Sequence, residues 1–220
     1  MNYPGYSDFI ARYVVDFPEN VPLYSAALAR DLGVAFQIDL KQAKTLVNVN
    51  LRRLGERHHL KRFQKGVYYK AKQTAFGLSS LNPALVNRER YIQQGDEVIG
   101  YETGEGFLNR LGLTTQIPRY PKIATNQMKY YGQRKNERLK VIVIKPRVKV
   151  TQENYLYLQL LDAIAEMDHS YLEVEKPEKV ILDYIQRTNL SFQKLIGLAT
   201  LYYSRATQNR LNQIAVNGLS

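Results

Sequence analysis

The chain has 220 residues, with 31 Lys and Arg against 20 Asp and Glu, a formal net charge of +11, and no cysteine. That length accommodates one large domain or two small ones, and the missing cysteines exclude disulfides, thiolate nucleophiles and Cys-ligated metals. Three histidines (His58, His59, His169) cannot by themselves build an ordinary zinc site, so neither a metal nor a cofactor is expected. The N-terminus lacks a signal-like pattern and no apolar run is long enough to span a bilayer, so a cytoplasmic protein without a membrane partner is expected.

In chain order, Tyr6, Phe9, Ile10, Tyr13, Val14 and Phe17 recur at helical spacing and predict a helix over about 6–17, closed by Pro18 and Pro22. Ser25 can cap a short second helix, Ala26 to Leu32, with Gly33 as its left-handed terminator. A turn over 34–38 leads to Asp39, which starts a third helix reaching about Arg57 and has Gln42 three positions on, as in a capping box. On that helix Leu40, Ala43, Val47, Leu51 and Leu54 gather on one side. Lys41, Thr45, Asn48 and Arg52 gather on the other, flanked by Gln42, Lys44, Val49 and Arg53. Residues 59–63 and Val67 to Lys70 read as two strands around Gln64-Lys65-Gly66, with Phe63, Val67 and Tyr69 inward and Lys61, Arg62 and Lys65 outward.

Between Lys41 and Lys72 lie ten Lys or Arg residues against the single acid Glu56. Cations mixed with Asn, Gln and Thr on a helix, followed by a basic hairpin, suit a helix in a DNA groove and a hairpin on phosphates. The expected arrangement is a winged helix-turn-helix over residues 1–75. DNA contacts fall on Lys41, Gln42, Lys44, Thr45, Asn48, Arg52, Arg53, Arg57, Lys61, Arg62 and Lys65. The competing reading is a winged helix used as a protein-interaction module, gripping an acidic partner without sequence-specific DNA binding.

Residues 71–83 read as a connector, and residues 76–220 as a mixed α+β domain with C-terminal helices. Expected elements are a helix over 84–94, a strand over 97–101, a short helix over 104–111, and strands over 122–126 and 139–145. The last contains Val141-Ile142-Val143-Ile144, which reads as a buried strand. Helices follow over 155–166, from Pro177, and from a Ser191 cap. The glycines of 100–118 lack a phosphate-loop ending and read as a structural turn-helix-turn, and Asp39-Leu40-Lys41 reads as a helix cap rather than a nuclease element. A second basic segment over 119–149 holds Lys129, Arg134, Lys135, Arg138, Lys140, Lys145 and Arg147, interleaved with Tyr130 and Tyr131. It suits either nucleic-acid or toxin contact or a solvated sheet face.

The segment Gly66-Val67-Tyr68-Tyr69-Lys70, then Gly100 to Pro118 with its Gly112-Leu113-Thr114-Thr115-Gln116-Ile117-Pro118 element, then Ile123-Ala124-Thr125-Asn126, resembles the AbiEi family. These are antitoxins and autorepressors of bacterial type IV toxin–antitoxin systems. In the short helix this chain has Glu105-Gly106-Phe107-Leu108-Asn109, where many relatives carry small residues and a His. The resemblance implies a non-enzymatic protein whose winged helix binds promoter inverted repeats as a dimer or cooperative pair. It also implies a C-terminal domain that counters a nucleotidyltransferase-like toxin, and no catalytic residue carries over.

Overall fold

The computed structural model describes residues 5–55, 60–167 and 171–217. Arg57, His58, His59 and His169 lie outside the described residues. The chain divides into two compact units, Met1–Leu85 and Val86–Ser220. The boundary falls after Leu85 rather than after residue 75. Residues of the expected connector belong to the first unit, where the Ser79 hydroxyl donates to Asn20 Oδ1 at 2.5 Å and accepts from the Lys72 amide at 2.8 Å.

The first unit comprises α1 (Tyr6–Asp16), β1 (Leu23–Tyr24), α2 (Ser25–Phe36), α3 (Leu40–Leu54), β2 (Leu60–Gln64), β3 (Val67–Lys70) and a two-residue ladder of β4 (Gln73–Thr74) with β5 (Gly77–Leu78). Its core is Ile10 and Val14 from α1, Leu28, Ala29 and Leu32 from α2, and Ala43, Val47 and Leu51 from α3, all fully buried. Phe36 makes edge-on ring contacts with Tyr6 and Phe9 at centroid distances of 4.8 and 5.7 Å, which fastens the end of α2 to α1.

α2 is longer than expected. Gly33 lies inside it, and the left-handed terminator is Gln37, at φ 53°. A Cβ on Gly33 would come within 3.2 Å of the Ile38 carbonyl oxygen, so this glycine permits a close approach of the following turn instead of ending the helix. Ser25 is the first helical residue, not the cap; its amide donates to the Gly66 carbonyl at 2.9 Å. The three strands form an antiparallel sheet in the order β1-β3-β2.

The second unit contains α4 (Pro83–Asn87), which straddles the boundary and continues as a π-helical turn over Arg88–Ile92. The ladder of β6 (Gln93–Gln94) and β7 (Glu97–Val98) leads to β8 (Gly100–Thr103), α5 (Glu105–Leu111), β9 (Lys122–Thr125), β10 (Gln133–Asn136) and β11 (Val141–Ile144). The main sheet runs β10-β11-β9-β8, with β11 parallel to β9 and the other two pairs antiparallel. α6 (Tyr155–Glu166), α7 (Pro177–Arg187), α8 (Phe192–Tyr202) and α9 (Arg205–Asn217) follow. The chain is thus mixed α+β with its helices concentrated at the C-terminal end.

The strand Val141–Ile144 buries one face rather than both: Val141 and Val143 are fully buried, Ile142 and Ile144 half-buried. α6 lies on β8, where Gln159 Nε2 donates to the Glu102 carbonyl at 2.7 Å. Its apolar stripe joins Phe107, Leu108 and Leu113 with residues of α7, α8 and α9 in the principal core of this unit. The Gly112–Pro118 segment is strapped to the chain ahead of α7, with Glu173 accepting from the Thr115 amide at 2.8 Å and its hydroxyl at 2.9 Å. Gly112 closes α5 at φ 79°, which gives the glycine-rich stretch a structural turn-helix-turn conformation.

Gly100 is the most closely approached glycine described in this unit. A Cβ there would lie 2.1 Å from the Tyr91 carbonyl oxygen and 2.5 Å from that of Ala124. Both obstacles are backbone, so neither can swing aside. Gly100→Ala is expected to cost about 3 kcal/mol of stability, whereas Gly197→Ala, in α8 with open space around it, should stabilise by about 0.5–1 kcal/mol. Urea unfolding of the two variants checks this, and a loss below about 1 kcal/mol for Gly100→Ala would contradict the close approach.

Candidate nucleic-acid interface

α3 begins where the Asp39 carboxylate accepts from the Lys41 amide at 2.8 Å and the Gln42 amide at 3.0 Å. This satisfies two of the free N–H groups of the first turn and fixes the rotational setting of the helix. Burial of Ala43, Val47 and Leu51 then turns Lys41, Thr45, Asn48 and Arg52 outward, and all four are exposed. Gln42, Lys44, Val49 and Arg53 flank them and are exposed too. Leu40 departs from its expected apolar side: as the first helical residue it lies past the packing of the helix and is 44% exposed. The Thr45 hydroxyl donates back to the Lys41 carbonyl at 3.1 Å, which leaves its lone pairs, but not its proton, for a ligand.

The hairpin turns at Gly66, at φ 78°. Its register pairs Lys61 with Tyr69 and Arg62 with Tyr68, then shifts between Arg62 and Gln64. Alternation along the strand therefore places Lys61 and Arg62 on opposite faces, not together as the sequence suggested. Arg62 and Lys65 share a groove of about 760 Å³ with Asn48, Val49 and Arg52 of α3, floored by Leu51, Leu60 and Tyr68. Lys61 does not line it. Tyr69 is buried as expected, Tyr68 is buried beside it, and Phe63 is half-buried. No ion pair among the described residues engages Lys41, Lys44, Arg52, Arg53, Lys61, Arg62 or Lys65. Among the described residues no acid competes for these charges, and cations of that kind gain from a polyanion through the release of its counterions.

The second basic segment is divided between an edge strand, the turns beside it and a cleft. Arg134 and Lys135 lie on the edge strand β10, where Lys135 Nζ is 2.7 Å from Glu137 Oε1 and 4.1 Å from the Tyr120 ring centroid. The hydrogen bond from Lys135 and another from the Tyr120 hydroxyl hold the Glu137 carboxyl below its usual range. Lys129, Arg138 and Lys140 are exposed in the flanking turns, with Lys140 at φ 47°. A cation-rich edge strand also discourages pairing with another sheet. Lys145 and Arg147, in contrast, turn into a cleft.

That cleft, of about 440 Å³, is walled by strand residues Thr103, Lys122 and Ile144, by Tyr131, Lys145 and Arg147, by Asp162 and Glu166 of α6, and by Ser204 and Thr207 at the start of α9. At its base the Asp162 carboxylate accepts from the Tyr203 hydroxyl at 2.8 Å, the Tyr101 hydroxyl at 2.9 Å and the Thr103 hydroxyl at 3.5 Å. Arg147 Nε lies 3.7 Å from it. Burial pushes the Asp162 carboxyl above the ordinary carboxylate range, and the hydrogen bonds and Arg147 only partly offset this. Burial first, and the Asp162 charge second, likewise push the Tyr101 and Tyr203 hydroxyls up. This constellation escaped the sequence reading, although an acid on the apolar stripe of Tyr155–Glu166 was the available signal.

The profile of a family described as being of unknown function, DUF6088, matches residues 32–182. The chain belongs to DUF6088. No curated protein and no solved structure matches it. The DUF6088 match begins within α2 and ends within α7, so it takes in the whole groove between α3 and the hairpin. It includes every cleft residue except those contributed by α9 and the residue before it. Among the described residues no cluster of His, Asp and Glu could hold a metal ion, and no helix is long and apolar enough to cross a membrane.

A raised folded-state pKa makes the native protein bind more protons than the unfolded chain, so Asp162 stabilises at low pH and that contribution is lost as pH rises past the ordinary carboxylate range. Asp162→Asn removes the titration. The Tm of the variant minus that of the wild type is therefore expected to become more positive between pH 4 and pH 7. A difference that stays flat or moves the other way would contradict the assignment.

Proposed function

We propose that this DUF6088 protein is a DNA-binding transcriptional autorepressor and antitoxin of the AbiEi type. In this reading α1 to α3 and the β2–β3 hairpin are a winged helix-turn-helix, with α3 in the major groove and the hairpin as the wing. The observation that carries the proposal is the groove in which Asn48 and Arg52 converge with Arg62 and Lys65. A helix that offers an amide and a guanidinium beside a basic hairpin can pair base edges and hold phosphates in one footprint. Val49, 43% exposed in the same stripe, suits contact with a thymine methyl group.

In the proposed system the protein binds inverted repeats in its own promoter as a dimer or cooperative pair, and half-sites about one helical turn apart would match that symmetry. The second unit supplies the antitoxic activity against a nucleotidyltransferase-like toxin. The resemblance of Gly66–Lys70 and Gly100–Pro118 to AbiEi sequences supports this part of the reading.

Fluorescence anisotropy with the DNA upstream of the gene tests the proposal. Arg52→Ala and Asn48→Ala are each expected to weaken operator binding by about 1–3 kcal/mol and to relax the preference at one base pair. Unchanged operator affinity in both would remove α3 from the interface. Lys65→Ala should weaken operator and unrelated DNA alike and lower the salt slope by about one. Wild-type affinity should fall about 10³- to 10⁵-fold between 50 and 200 mM salt if six to ten phosphates are engaged.

A further inference from the structure

The cleft of the second unit has the composition of a small-ligand site, not of a packing defect. Its volume of about 440 Å³ lies within the range of pockets that enclose small molecules. Lys122 from β9 and Lys145 and Arg147 after β11 bring three cations to it from two separate stretches of chain.

These cations are loosely held. Lys122 Nζ stands 3.4 Å from Glu166 Oε1 and Arg147 Nε stands 3.7 Å from Asp162 Oδ1, the latter beyond hydrogen-bonding distance. Lys145 Nζ rests 4.2 Å from the centroid of the Tyr131 ring, a contact that leaves its three protons directed by nothing stronger than a π face. Arg147 lies 4.7 Å from the Tyr203 ring centroid, which orients the guanidinium, and the Tyr203 hydroxyl donates to the same Asp162 Oδ1 that Arg147 faces.

Ser204, which precedes α9, and Thr207 in its first turn also line the cleft; their hydroxyls lie 3.1 Å apart, and the Ser204 hydroxyl accepts from the Thr207 amide at 3.4 Å. Three cations on one cavity, beside the capped first turn of α9, favour a compact anion with several acceptor oxygens. Glu166 and the 81% exposed Tyr131 ring complete the wall, offering an acceptor for hydroxyl groups and a face for a planar group.

We propose that this cleft binds a small phosphorylated ligand of the nucleoside phosphate class. Its phosphates lie against Lys122, Lys145, Arg147 and the start of α9, and its nucleoside reaches towards Tyr131 and Glu166. The site is independent of the DNA-binding groove, so its failure leaves the repressor reading untouched, and the reverse holds.

Isothermal titration of the full chain with ADP, GDP, UDP, inorganic pyrophosphate and adenosine is the test. At least one nucleoside diphosphate is expected to bind saturably below 1 mM, more tightly than pyrophosphate, with adenosine far weaker than either. Lys145→Ala, which removes the ammonium resting on the Tyr131 ring, should weaken binding at least tenfold with Tm unchanged. Lys129→Ala, outside the cleft, should leave binding unchanged. No saturable binding of any diphosphate overturns the proposal, as does binding that ignores Lys145→Ala. Pyrophosphate binding as tightly as every nucleotide overturns the nucleoside assignment, and a single-stranded oligonucleotide binding where the mononucleotides fail overturns the small-ligand one.

Discussion

The first unit depends on the packing of one face of α3. Ala43, Val47 and Leu51 are fully buried, and the Asp39 carboxylate caps the first turn, so neither rotation nor sliding of the helix is open without exposing apolar surface or freeing backbone amides. The exposed stripe is the geometric complement of that burial. Lys41, Thr45, Asn48 and Arg52 face outward because the opposite face has one place to go. The hairpin is fixed to the same core by Leu60 and Tyr68 and by the hydrogen bond from the Ser25 amide to the Gly66 carbonyl. Arg62 and Lys65 thereby meet Arg52 and Asn48 across one groove.

The two basic segments carry similar charge and use it differently. In the first, Arg52, Arg62 and Lys65 are without an ion-pair partner among the described residues and converge on one groove, which favours association with an extended polyanion. In the second they separate: Lys135 is committed to Glu137 and Tyr120 on an edge strand, whereas Lys145 and Arg147 turn inward to a cleft. A charge count assigns both segments the same character. Only backbone alternation and tertiary pairing distinguish a surface from a pocket.

Periodic apolar spacing made the long helices legible. Tyr155–Glu166 and the start at Pro177 follow directly from the sequence pattern, and so does the Ser191 cap, whose hydroxyl accepts from the Lys194 amide. The two elements that escaped had weak local signals. β10 is Gln-Arg-Lys-Asn, without alternation, and exists because β11 offers an edge. α9 carries few apolar residues among its polar ones, and it too went unpredicted. Gly33 was misread because a glycine needed for close approach looks the same in sequence as one needed for a left-handed turn. The DNA-facing candidates were legible because they are neighbours on one helix and one hairpin. The cleft was not: Tyr101 and Tyr203 reach Asp162 across 61 and 41 residues of chain.

In the proposed function α3 and the hairpin read DNA together. Hydroxyl-radical footprinting of the DNA upstream of the gene, with the full chain at physiological salt, tests it most directly. The account expects protection of two half-sites of an inverted repeat about one helical turn apart, at a concentration at least 10³-fold below that needed to coat unrelated DNA. Uniform protection at one threshold on both DNAs, or none at all, would contradict it.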